Sequence, residues 1–112
     1  MKRRIENYIP QALAAIEYVK IPKDNMIAKP FNGYIASFGA SIRQAGLLST
    51  VLFYTNSKNS EEDRSKIIDA IEYIIEEKLT SEVTKKREIK LKVLDAATAL
   101  KLAIRTYPQP KE

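Results

Sequence analysis

Residues 36–56, ASFGASIRQAGLLSTVLFYTN, carry a single charge, Arg43, in a chain of which 29% of residues are charged. Gly39 and Gly46 bracket that arginine. The stretch can be read as a ligand loop, a membrane span or the centre of a helical core, and each reading gives a different protein. A phosphate-binding loop places a lysine and a hydroxyl residue directly after its second glycine, but Leu47 and Leu48 stand there. A membrane span needs about 18–20 apolar residues in succession. Ser37, Ser41, Arg43, Gln44, Ser49 and Thr50 break the run well short of that. A core segment is what remains.

Its spacing is helical. Tyr34, Ile35, Phe38 and Ile42 predict a helix capped by Asn32 that runs through Gly33 to about Ala45. Leu47, Leu48, Val51 and Leu52 predict a short third helix over residues 47–54. Gly46 fits the junction as the residue that closes the second helix. Gly39 falls mid-helix, where it costs roughly 1 kcal/mol relative to alanine, and close packing against another helix would explain it.

Working outward, Ile5, Tyr8, Ile9, Ala12, Leu13, Ile16 and Val19 form one apolar face and predict a first helix from about Arg4 to Lys20. Pro10 is compatible with a helix that starts near Asn7 as N-cap, and otherwise kinks it. Residues 21–32, with two prolines and no period, read as a connecting loop. Ser60 and Asp63 suggest a variant capping box for a fourth helix running to about Leu79 on Ile67, Ile68, Ile71, Ile74 and Ile75. A fifth helix from about Lys86 to Tyr107 would bury Ile89, Val93, Ala96, Ala97, Leu100, Ala103 and Ile104. Pro108 and Pro110 end it, leaving residues 108–112 as a frayed tail. No strand alternation occurs. The expectation is an all-α bundle of about five helices, a single domain over residues 1–112.

Composition narrows the function. The 112 residues include no Cys and no His, which removes disulfides, thiolate nucleophiles, His–Cys zinc sites and catalytic triads that use His. The four aspartates, Asp24, Asp63, Asp69 and Asp95, are scattered rather than clustered as a metal-dependent nuclease requires. An enzyme is not expected, nor is a metal or other cofactor. Glu6, Asn7 and Gln11 interrupt any export signal, so the expected location is cytoplasmic and no membrane partner is expected.

The net charge of +5 is unevenly spread. Residues 1–56 carry +4, residues 57–79 carry −3 and residues 80–112 carry +4. On the fifth helix Arg87, Lys90, Lys101 and Arg105 fall within about 60° of one another, with Leu94 and Thr98 between them. Leu91 and Leu102 lie on the outer flank of that stripe and are candidate subunit contacts. Such runs are ordinarily solvated flanks, and the residues alone favour that reading. The other reading is a phosphate track bordered by apolar contacts for a neighbouring subunit. The six tyrosines could stack on bases, although most lie at core spacing. A helix-turn-helix DNA reader around Gly46 is disfavoured, because LLSTVLFYT is too apolar to face a groove.

The order NGYIASFGASIRQAGLLSTVLFYTN, an acidic-capped helix and KREIKLKVLDAATALKLAIRTY resembles the small α-helical subunit of the type III-B CRISPR effector, the Cmr complex. In that family a tyrosine-led helix runs into G-L-L-x-x-L-x-F, matched here by Gly46, Leu47, Leu48, Val51 and Phe53, with valine in place of the usual leucine. The closing Ala/Leu-rich helix that ends in Arg-aromatic is matched by Ala96 through Tyr107. The resemblance implies a non-catalytic subunit that works with the other Cmr subunits. Its copies stack along the effector filament and help hold guide RNA and target RNA. It reverses the preference over the basic stripe and makes Arg87, Lys90, Lys101 and Arg105, with Arg43 as a fifth member, RNA-binding candidates. The rival reading is a free-standing helical adaptor or regulator that binds another protein and has no nucleic-acid role.

Overall fold

Helix α5 (Arg87–Ile104) is the axis of the molecule. All seven residues predicted for its inner face are buried, and three of them are alanines, which allows neighbouring helices to approach closely. In the computed structural model, which describes residues 2–56 and 64–108, α5 is packed by α1 (Lys2–Tyr18), α2 (Pro30–Ala45) and α4 (Ser65–Ile75). Helix α3 (Leu47–Thr55) bridges α2 and α4, and a 3₁₀ turn at Val83–Lys85 leads into α5. The chain is all-α, as the periodicity predicts. No helix among the described residues is long and apolar enough to cross a membrane.

Helix α1 begins at Lys2, so Pro10 lies in its interior and Asn7 is not its cap. Pro10 is exposed, which keeps its ring out of the core. Its missing N–H leaves the Glu6 carbonyl without the usual intrahelical partner. The first turn is fixed from outside: Arg4 Nη1 lies 3.2 Å from Asp95 Oδ2 on α5. Both atoms are buried and neither has a hydrogen bond of good geometry. On this helix Ala12, Ala15 and Ile16 are fully buried, whereas Leu13, expected inside, is 36% exposed.

The segment after α1 is more ordered than its prolines suggest. Lys20 has φ 60° and closes α1 with Ile21 N–H bonded to the Ile16 carbonyl at 3.1 Å and Lys20 N–H to that of Glu17 at 3.2 Å. Asp24 and Asn25 both take positive φ, and Lys23 and Met26 exchange both backbone hydrogen bonds across them, a two-residue hairpin turn. Ile27 N–H then donates to the Pro108 carbonyl at 3.0 Å. This bond ties the start of the predicted frayed tail to the loop after α1; residues 109–112 lie outside the described residues. Helix α2 starts at Pro30 rather than at an Asn32 cap, because a proline at the first helical position gives up only an N–H that has no partner anyway.

Gly46 separates α2 from α3 with φ 94° and ψ 162°, a region essentially closed to other residues. Its N–H donates to the Ile42 carbonyl at 3.0 Å, and its carbonyl accepts from Thr50 N–H at 3.3 Å and from the Thr50 hydroxyl at 2.9 Å. The break resets the helical phase. Leu47, Thr50, Val51 and Tyr54 face inward, and Leu48 and Leu52, predicted to be buried, are 37% and 53% exposed. Gly39 is not held by close packing either: a Cβ there would meet only the Arg43 guanidinium, at 3.6 Å.

Helix α4 ends at Ile75, four residues earlier than predicted. Continuing it would carry Lys78 onto the buried face one turn beyond Ile74. Instead Glu76 adopts a left-handed conformation, Lys78 turns outward, and Leu79 enters the core, 7% exposed. The Glu72 carboxylate accepts the Leu79 N–H at 2.8 Å and completes the turn. The predicted capping box at Ser60 and Asp63 lies outside the described residues.

Candidate nucleic-acid interface

Arg87, Lys90 and Lys101 project from α5, and Arg105 follows its last turn. Over 18 residues at 1.5 Å each, the stripe is about 27 Å long. Arg87 and Arg105 are exposed, and Lys90 and Lys101 are half-buried, a disposition that lays an aliphatic stem on the protein and leaves the charge in water. None of the four forms an ion pair among the described residues. Thr98, between them, donates its hydroxyl to the Leu94 carbonyl at 3.1 Å, so its proton is already engaged.

The α2–α5 packing brings Arg43 to this stripe. Arg43 and Lys101 line one shallow groove of about 210 Å³, with Gly39 on one side and Leu94 and Thr98 on the other. Of the five predicted cations these two converge; Arg87, Lys90 and Arg105 share the side of α5 without lining that groove. Leu91 and Leu102 are each 41% exposed on the outer flank.

Three clusters escaped the sequence reading, because each joins residues far apart in the chain. Tyr34, Phe53 and Arg64 meet at the outer side of α2 and α3. The Tyr54 hydroxyl below them donates to the Tyr34 carbonyl at 2.6 Å, and burial pushes its pKa up to about 12. Tyr18 and Tyr73 stack with ring centroids 4.9 Å apart beside a cleft of about 640 Å³ bordered by Asp69, Glu76 and Glu77. At the far end of α5, Tyr107 donates to the Glu17 carboxylate, which, together with its burial, drives the phenol up to about 12. Only the acidic excess of residues 57–79 offered a sequence signal for any of these. No group of acidic side chains among the described residues is arranged to hold a metal ion.

A family model described as CRISPR-associated protein (Cas_Cmr5) matches residues 6–106. The match takes in α2 through α5 and all but the first turn of α1, and with them all five candidate cations. No curated protein and no solved structure matches the chain.

Proposed function

The chain belongs to the Cas_Cmr5 family of CRISPR-associated proteins, subunits of the type III-B Cmr complex, and on that premise we propose that it is a non-catalytic subunit whose basic face holds guide RNA and target RNA. The observation that carries this reading is the convergence of Arg43, from α2, with Lys101, from α5, on one groove that continues the α5 stripe. Cations free of carboxylate partners are available to phosphates, and a rigid helix presents them in a row without selecting a base.

The acidic side of the molecule supplies the complementary half. The cleft between the end of α1 and α4 presents Asp69, Glu76 and Glu77, none of which has an ion-pair partner among the described residues. In this reading a neighbouring copy seats a basic surface other than the α5 stripe there, and repetition of such a head-to-tail contact gives an open stack in the cytoplasm. Each exposed pair contributes at most about 1 kcal/mol, so other Cmr subunits hold the stack together.

The test replaces Arg87, Lys90, Lys101 and Arg105 together by glutamate in the assembled complex. Target-RNA binding should weaken at low salt, and the salt slope should fall by roughly 0.7 for each phosphate that is no longer neutralised. Affinity and slope equal to those of the wild type would leave the stripe as a solvated flank.

A further inference from the structure

Arg64 precedes α4, and its guanidinium carbon lies 4.6 Å from the Tyr34 ring centroid and 5.8 Å from that of Phe53. These residues, with Ser37 and Ser41, border a pocket of about 380 Å³ between α2 and α3. We propose that this pocket receives an unstacked nucleobase of single-stranded RNA. The inference rests on the RNA-holding role proposed above and extends it from phosphates to bases.

Stacking surfaces come first. Bases splayed out of a strand stack on aromatic rings and on guanidinium planes, and this pocket offers both side by side: Phe53, 61% exposed, and Arg64. The Tyr54–Tyr34 hydrogen bond at 2.6 Å fixes one wall in advance, so little ordering remains to oppose binding.

Hydrogen bonding comes next. Thr50 has one hydroxyl proton and gives it to the Gly46 carbonyl at 2.9 Å. Ser41 must therefore be the donor in its 2.7 Å contact with Thr50, which leaves Ser41 lone pairs for an amino or imino group. Ser37 has no hydrogen-bond partner among the described residues and can serve either sense. Small groups of both senses beside a stacking platform accept a base edge without fixing its identity.

Charge and continuity identify the occupant. The sole charge among the described residues lining the pocket is Arg64, which attracts the phosphate of the inserted nucleotide and repels a cationic peptide. Helix α2 lines this pocket with one flank and the Arg43–Lys101 groove with the other. The ridge between them carries exposed Gly33, Ala36 and Ala40. A strand crossing the width of one helix, about 10–12 Å, passes over these small residues beside the exposed Gln44.

The experiment compares Phe53→Ala and Arg64→Lys with wild type in the assembled complex. Its probe is a uridine-rich single-stranded RNA substituted with 4-thiouridine, read by affinity, salt slope and mass-spectrometric mapping of photo-crosslinks. Loss of one stacked base should weaken binding by roughly ten- to a hundredfold in Phe53→Ala. No charge is removed, so the salt slope should stay at the wild-type value. Arg64→Lys keeps the charge and loses the plane, and should weaken binding by a smaller factor with the same slope. Wild-type crosslinks should fall on Phe53 or Tyr34. Crosslinks confined to α5, with wild-type affinity in both variants, would overturn the pocket and leave the basic face standing. Crosslinks absent from the whole subunit would overturn both. Release of a neighbouring subunit by Phe53→Ala, with RNA crosslinks and affinity unchanged, would reassign the pocket to a protein contact and overturn the proposal.

Discussion

Helix α5 runs 18 residues without a break, whereas the less charged chain from Pro30 to Thr55 is cut at Gly46 into α2 and α3. Both present residues to the basic side of the molecule, but only in α5 do the predicted and observed inner faces coincide. An unbroken helix propagates one phase, so spacing alone fixes which residues meet the core. A glycine at φ 94° rotates everything that follows. Continued from Phe38 and Ile42 without a break, the helix would have turned Ser49 and Phe53 inward. With the break, both are exposed and Thr50 and Tyr54 are buried. The exposed Phe53 that lines the Arg64 pocket is therefore a product of Gly46.

Adjacent leucines offer the most sensitive way to break this comparison. Leu47 is 4% exposed and Leu48 is 37% exposed. Leu47→Ala should cost about 2–4 kcal/mol and Leu48→Ala less than about 1 kcal/mol in denaturant unfolding. Equal losses would mean that α3 is not in this phase. Next in size is the junction itself. Gly46→Val forces a β-branched residue to positive φ, and should cost about 1–3 kcal/mol and lower the melting midpoint by roughly 10 °C. A midpoint unchanged within error would show that the junction is unstrained.

The smallest effect sharpens the comparison from the tyrosines. Tyr54 in α3 and Tyr107 beyond α5 are both pushed up to about 12, the first by burial and the second first by its bond to Glu17. Both pKa values are raised on folding, so the stability they contribute is complete below pH 10. It is lost as pH rises from about 10 toward 12. With no tryptophan in the chain, tyrosinate absorbance reads this directly. Glu17→Gln should bring the Tyr107 midpoint down toward 10 and leave Tyr54 where it is. A titration curve identical to the wild type would place Tyr107 away from Glu17.

The sequence announced helix class, helix number and the inner faces of α4 and α5, because each is a matter of local period. It missed what depends on chain reversal or on distant meetings. Nothing local shows that Lys20 and Glu76 would take positive φ without being glycine, whereas Asp24 and Asn25 are residue types that tolerate it. Their conformations follow from what lies beyond: Leu79 must reach the core, and Ile27 must reach Pro108. The cationic stripe was legible as an arrangement on one helix. Arg43 was named beside it, but its convergence with Lys101 on one groove was not legible, because that depends on how α2 lies against α5. The Arg64 pocket depends on three elements and had no signature in any of them.

The Glu17–Tyr107 bond spans 90 residues, and that separation has a kinetic meaning. A contact that closes so long a loop carries a large closure entropy. It gains little until α1 and α5 are already packed, so it belongs on the native side of the folding barrier. Losing it should leave the folding rate nearly unchanged and raise the unfolding rate, in proportion to whatever stability is lost. The clasp is then less a device for reaching the fold than one for staying in it, a brake on the departure of α1 from the finished bundle.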